Sequence, residues 1–282
     1  MKTVGLIDYY LDQYHAENYP NWIREASGGE IQVKYAWAMM DKPGGKSNIQ
    51  CCKDLDIELL GSAQEVIDKS DCLIVMSPDD PQMHEELCKL PLTSGKPVYV
   101  DKTFAPDRES AMRIIKIGEE SKTPFFSTSA LRYTKEYNNL KKDGIEAINS
   151  RGPGMFENYG IHQLEPIIWL MGVDIDKIMY IGNGSTPAFV LRYADGRTAT
   201  IAHLGWECDF SIAINYEGDH AVVIQGASDF YNQFIIKLVE FFKDGKEKVP
   251  HEETLQVITI LEYGKRAMAV PDTWVTLPEY KL

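Results

Sequence analysis

Three segments of the chain combine reactive side chains with the ends of apolar runs. Asp101-Lys102-Thr103 follows directly on Val98-Tyr99-Val100. A lysine at the carboxyl end of a strand in a parallel sheet faces the crevice where α/β proteins bind ligands. A solvated lysine at a strand end gives the same pattern. Asn158 and His162 stand four residues apart, ahead of the apolar positions Ile168, Trp169 and Met171. On a helix they share one face, and histidine is the side chain best suited to exchange a proton near neutral pH. A histidine serving only the core fits that spacing as well. His162 and Glu165 have no third ligand at a telling spacing, so no metal site is expected. The third segment is Ser77-Pro78-Asp79-Asp80 with His84. Amides at a helix start there could meet a ribose or phosphate, and ordinary capping by Asp80 accounts for the same residues.

The elements needed to position these groups are legible in the first half. Val4-Gly5-Leu6-Ile7 is a short apolar run, residues 31–38 form a second candidate strand, and a helix is expected around Trp22 to Ala26. Cys72-Leu73-Ile74-Val75-Met76 is continuously apolar, as expected of a strand covered on both faces. Ser62 and Glu65 have the spacing of a capping box, and Asp107 can cap a helix whose Ala111, Ile114, Ile115 and Gly118 share a face. Pro124-Phe125-Phe126 begins one more strand. Strands alternating with helices imply right-handed βαβ units and a doubly wound parallel sheet over residues 1–130.

After about residue 130 the pattern changes. Candidate strands at 177–183, 187–193, 198–205, 209–216 and 220–226 follow one another, with Asp195-Gly196 as a hairpin turn. Helices are expected from about Asp229 to Lys243 and from about Thr254 to Met268. Residues 131–282 therefore read as an α+β domain with a mostly antiparallel open sheet, and exposed apolar sheet faces there predict a homo-oligomer.

Bulk properties narrow the class of function. The 282 residues carry a formal net charge of −13, which argues against nucleic acid or an anionic membrane as a partner and favours a small-molecule substrate. Five cysteines without CxxC spacing indicate neither a disulfide framework nor a zinc ribbon, so a cytoplasmic, unprocessed protein is expected. No run of eighteen apolar residues is available to span a bilayer.

In order and spacing these segments resemble the glucose-fructose oxidoreductase and inositol dehydrogenase (Gfo/Idh/MocA) family. The landmarks are Leu73 to Met76 with Ser77-Pro78 and His84, Gly95-Lys96-Pro97-Val98 leading to Asp101-Lys102-Thr103, and Gly160-Ile161-His162 with Trp169 to Gly172. Tyr193 to Gly196 and Phe241 to Gly245 followed by Val249-Pro250 complete them. The resemblance implies a Rossmann domain binding NAD or NADP, and an oxidoreductase acting on a sugar, polyol or related hydroxyl compound. It implies a cofactor held by Ile7, Asp8, Tyr9, Ser77, Pro78, Asp79, His84, Asp101 and Lys102. Lys102 and His162, supported by Asn158, would be catalytic, with Arg132 and Tyr133 near the substrate.

Two positions depart from the family's pattern. Where it has a glycine-rich turn, the chain reads Asp8-Tyr9-Tyr10-Leu11-Asp12-Gln13-Tyr14-His15, and Asp8 and Asp12 are expected to repel a diphosphate. Asn158 stands where the family has an aspartate. These departures leave a second expectation, a ligand-binding or regulatory protein of the same fold without hydride transfer. A lyase or isomerase using Lys102 and His162 for proton transfer alone is a third.

Overall fold

A computed structural model describes residues 1–78 and 80–279. They divide into two compact units, one of Met1–Thr128 with Phe234–His251, the other of Ser129–Gln233 with Glu252–Leu282. The sequence pattern assigns all of 131–282 to the second domain, and the structure corrects this for Phe234–His251. Those residues have an aromatic reason to return. Phe126 and Phe241 meet edge to face at 4.9 Å, His251 stacks on Phe125 at 4.0 Å, and Lys2 Nζ donates to the Phe242 carbonyl at 2.7 Å.

The first unit holds a six-stranded, all-parallel sheet. Its strands are β1 (Lys2–Asp8), β2 (Ile31–Ala38), β3 (Glu58–Leu59), β4 (Cys72–Met76), β5 (Val98–Val100) and β6 (Phe125–Phe126), in the order β3-β2-β1-β4-β5-β6. Every residue of β4 and β5 is buried, which is why both read as unbroken apolar runs. The order reverses between β1 and β4, so the ligand crevice of such a sheet lies outside the carboxyl ends of these two strands. Helix α1 (Tyr14–Ala26) follows β1, and α2 (Asn48–Leu55) follows β2. In α3 (Ala63–Lys69) Ser62 caps the helix as expected, its Oγ accepting from Glu65 N, while the Glu65 carboxylate accepts from Gly61 N at 3.2 Å in place of Ser62 N. Gly5 lets α3 approach β1, since a Cβ there would lie 2.3 Å from Val66 Cγ1. The short helix α4 (His84–Cys88) follows β4, and α5 (Arg108–Glu120), capped by Asp107, follows β5.

The second unit contains a seven-stranded sheet in the order β12-β11-β7-β10-β9-β8-β13. Its strands are β7 (Ile145–Pro153), β8 (Ile175–Tyr180), β9 (Ala188–Tyr193), β10 (Thr198–Leu204), β11 (Ser211–Tyr216), β12 (His220–Gln225) and β13 (Val275–Thr276). All pairs are antiparallel except β7 with β10. One face buries Ile148, Ile201, Ile214, Phe189 and Leu191 under α6 (Phe156–Met171) and α8 (His251–Met268), while α7 (Phe230–Asp244) begins in this unit and ends in the first. The other face carries Asn149 hydrogen-bonded to Thr200 and Arg151 to Ser211, so it is more polar than the expected apolar sheet face.

Candidate functional site

In the first unit a buried polar cluster gathers at the carboxyl ends of β1, β4 and β5. At its centre is Asp101, 3% exposed. Its Oδ1 accepts from Tyr19 at 3.2 Å and from Tyr99 at 3.1 Å, and its Oδ2 is 2.5 Å from His15 Nδ1. The His15 ring stacks on Tyr19 at 4.9 Å. Burial works to raise the carboxyl pKa of Asp101. The charge and hydrogen bond of His15, with the charge of Lys102, outweigh it and hold the pKa at about 2. Asp101 is thus an ionised carboxylate with three donors around it, followed directly by half-buried Lys102. The Lys102–Thr103 peptide is cis.

Asp8 is fully buried at the end of β1 but takes the opposite state. Burial is the main cause that pushes its pKa up to about 7, and the charge of Asp101 adds to it. Hydrogen bonds from Gln13 Nε2 (3.0 Å) and Tyr9 N (2.7 Å) pull the other way. The two carboxyls, at the ends of strands separated by β4, therefore differ in charge below about pH 7. The expectation that Asp8 repels a diphosphate is corrected for that range, and Asp12 is engaged too, its Oδ2 accepting from Lys46 N at 3.1 Å.

The β1–α1 turn satisfies much of its own backbone. Leu11 N donates to Asn48 Oδ1 at 3.0 Å, Gln13 N to the Leu11 carbonyl at 2.8 Å, and His15 N to Gln13 Oε1 at 2.7 Å. Amides that glycine-rich turns leave for a phosphate are here occupied by side chains. Tyr10 reaches from this turn to the end of β4, where its hydroxyl donates to the Pro78 carbonyl at 3.4 Å.

The other expected cofactor residues are distributed unevenly. Ile7 is a core residue with no exposed surface. Tyr9 is half-buried against the Tyr10 ring at 5.5 Å. Ser77, 1% exposed, donates to the Asp80 carbonyl at 2.7 Å, while Asp80 makes no side-chain cap, contrary to expectation. Asp79 lies outside the described residues. His84 is fully buried and donates from Nδ1 to the Thr103 carbonyl at 2.9 Å, which leaves Nε2 as a buried acceptor without a hydrogen bond among the described residues. Burial holds its pKa below the ordinary value, opposed by Asp101 and by the carbonyls of Thr103 and Phe104. His84 therefore reads as a neutral brace for the strand-end loop.

In the second unit the expected residues group around the first half of α6. His162 Nδ1 is 2.7 Å from Ser129 Oγ. Tyr159 and Phe210 meet the imidazole at steep angles, with centroids at 5.3 and 5.7 Å. Two glycines make room for these rings: a Cβ on Gly152 would lie 2.4 Å from Phe210, and one on Gly154, whose φ is +78°, 2.7 Å from Tyr159. Trp206, 68% exposed, packs edge-on against Tyr159 at 5.1 Å.

Three expectations are corrected here. Asn158 is exposed, and the hydrogen bond on Nδ1 of His162 is with Ser129. Arg132 is a buried ion-pair centre: it is 6% exposed, with Nη1 3.2 Å from Glu165 and Nη2 paired with Glu253. Its five donors form a planar fork suited to two carboxylates, so it ties the 3-10 turn 130–133 to α6 and α8. Tyr133 is half-buried in the same turn. His203 near the end of β10 is fully buried against the Pro153 carbonyl (3.3 Å) and Gln163. Burial holds its pKa down. Glu207 is exposed.

Sequence reasoning missed His15, Tyr19, Tyr99 and Ser129. His15 and Asp101 are separated by 86 positions and Ser129 and His162 by 33, so no local spacing links either pair.

A doubly wound parallel unit with a lysine after its β5 strand, followed by an open-sheet α+β unit, is the fold to set beside known proteins. No family model matches the chain. An inositol 2-dehydrogenase of Corynebacterium glutamicum strain R is 29% identical over 208 residues, covering 67% of this chain and 57% of that one. The chain thus matches just over half the length of this curated relative. The myo-inositol 2-dehydrogenase structure from Lactobacillus plantarum superposes with a TM-score of 0.81 at 15% identity, covering 98% of this chain and 99% of that one. An oxidoreductase from Agrobacterium radiobacter, solved with NAD+, L-tartaric acid and magnesium, gives 0.78 at 12% identity, with 98% of each chain covered. The chain is thus similar in sequence to an inositol 2-dehydrogenase and shares the fold of these oxidoreductase structures.

Proposed function

We propose that this chain is an NAD- or NADP-dependent oxidoreductase acting on a polyol, sugar or related hydroxyl compound. The observation that carries the reading is Lys102, next to an ionised Asp101 whose oxygens are tied to His15, Tyr19 and Tyr99. A lysine at the end of a parallel strand is placed to hold a substrate oxygen. The likeness to a protein named inositol 2-dehydrogenase supports a cyclic polyol as the first substrate to try.

A nicotinamide cofactor, when bound, accepts or supplies the hydride. The end of β1 fits such a group in charge, because Asp8 is uncharged below about pH 7. The strand ends fit it less well in hydrogen-bond donors, because several turn amides are occupied and the Tyr10 and Ser77 hydroxyls donate to the Pro78 and Asp80 carbonyls. Lys102 would hold the substrate oxygen, and His162 would take or return the hydroxyl proton. Arg132, committed to Glu165 and Glu253, has no part in substrate contact. Self-association through the open face of the second sheet belongs to the same proposal.

One observation favours a second reading, a binding protein without hydride transfer: Tyr10 spans from the first turn to Pro78. Titration of tryptophan fluorescence with NADH and NADPH separates the two. Saturable quenching by either is expected, and a folded sample that responds to neither at millimolar concentration defeats the oxidoreductase reading. Lys102→Ala should then retain cofactor affinity and lose turnover.

A further inference from the structure

We infer that Ser129 is the positioning residue of His162, in the place where the Asp101–His15 pair of the first unit uses a carboxylate. The inference rests on the reading of His162 as the proton-exchanging group. Ser129 is fully buried and caps the 3-10 turn 130–133, with its Oγ accepting from Leu131 N at 3.2 Å. That bond fixes where the oxygen points. The 2.7 Å contact to His162 Nδ1 uses a second direction of the same oxygen.

A second rung keeps the two elements in register. Three residues further along both segments, Arg132 Nη1 meets Glu165 Oε2 at 3.2 Å, and Arg132 also holds Glu253 on α8. Three residues are one turn on the 3-10 segment and close to one turn on α6, so Ser129–His162 and Arg132–Glu165 form parallel rungs between the same elements. The steep ring contacts of Tyr159 and Phe210 limit rotation of the imidazole.

Orientation decides which nitrogen does chemistry. With Nδ1–H donating to Ser129 Oγ, Nε2 keeps its lone pair and takes the substrate proton, and the Nδ1–H bond stays intact in the imidazolium. A hydroxyl donating to Nδ1 would lose its acceptor on that protonation. Ser129 thus fixes the tautomer by geometry and adds no formal charge, unlike a carboxylate partner.

The test uses the full chain labelled with 15N-histidine, the His162 signals being assigned by their loss in His162→Asn. Proton-bearing Nδ1 and acceptor-type Nε2 are expected in the parent and in Ser129→Thr, which keeps the hydroxyl, and mixed tautomers in Ser129→Ala. In turnover, Ser129→Ala should lower kcat by roughly tenfold or more with KM nearly unchanged, and Ser129→Thr should restore it. Acceptor-type Nδ1 in the parent, or an unchanged tautomer in Ser129→Ala, overturns the inference. A fixed tautomer in a parent without turnover upholds the positioning role and defeats the oxidoreductase reading alone.

Discussion

Replacing Asp101 by asparagine isolates what the buried carboxylate contributes. The amide keeps the shape of the side chain, and its oxygen can still accept from Tyr19 and Tyr99, so the substitution removes charge with little change in packing. A carboxyl that titrates at 3.8 when unfolded and at about 2 when folded contributes about 2 kcal/mol near neutral pH. Because the folded value is the lower one, this contribution is complete above the unfolded value and disappears as pH falls through about 2. D101N should therefore be less stable than the parent by about 2 kcal/mol near neutral pH, a fall of roughly 4–8 °C in melting temperature. The deficit should shrink in acid. Urea titrations of both proteins at several pH values measure it. A D101N protein as stable as the parent near pH 7, or a deficit unchanged across the acid range, would refute the reasoning.

Three further predictions follow from particular side chains. Asp8 is the mirror case: its folded pKa, about 7, lies above 3.8, so its favourable contribution is full below 3.8 and is lost as pH rises through about 7. D8N should thus match the parent in acid and gain up to about 4 kcal/mol above neutrality in urea unfolding, and a loss of stability there contradicts the buried-acid assignment. R132M leaves Glu165 and Glu253 buried without their cation and should cost roughly 3–5 kcal/mol in denaturant unfolding, with KM of the remaining folded enzyme unchanged. A raised KM at full stability would return Arg132 to the substrate site. Gly154→Ala forces a side chain into a φ of +78° and against the Tyr159 ring. It should cost about 1–3 kcal/mol in thermal unfolding and lower kcat by disturbing the ring beside His162.

The parallel sheet was readable because burial on both faces leaves a plain record, as in Cys72 to Met76. Strand β7 was not readable, although it lies inside the second sheet. Its sequence, Ile145 to Pro153, places Asn149 and Arg151 on the open face and Ser150 and Gly152 on the buried one, so apolar alternation fades after Ile148. Lys102 and His162 stood out by residue type and element position. Their supports did not, since serines are common in loops and Ser129 gains meaning only when α6 folds against it. Arg132 was misread for a related reason: a charged side chain is expected at the surface, and only the tertiary structure brings Glu165 and Glu253 to it.

The most direct test of the account is deuterium transfer from inositol labelled at its ring carbons. The purified full-length chain is incubated with this substrate and NAD+ or NADP+, and the reduced cofactor is analysed by mass spectrometry. The account predicts deuterium in the nicotinamide ring, lost in Lys102→Ala and in His162→Asn while both variants still quench with NADH or NADPH. Cofactor binding by the parent without transfer from inositol or any other polyol or sugar supplied would contradict it and leave a binding protein of the same fold.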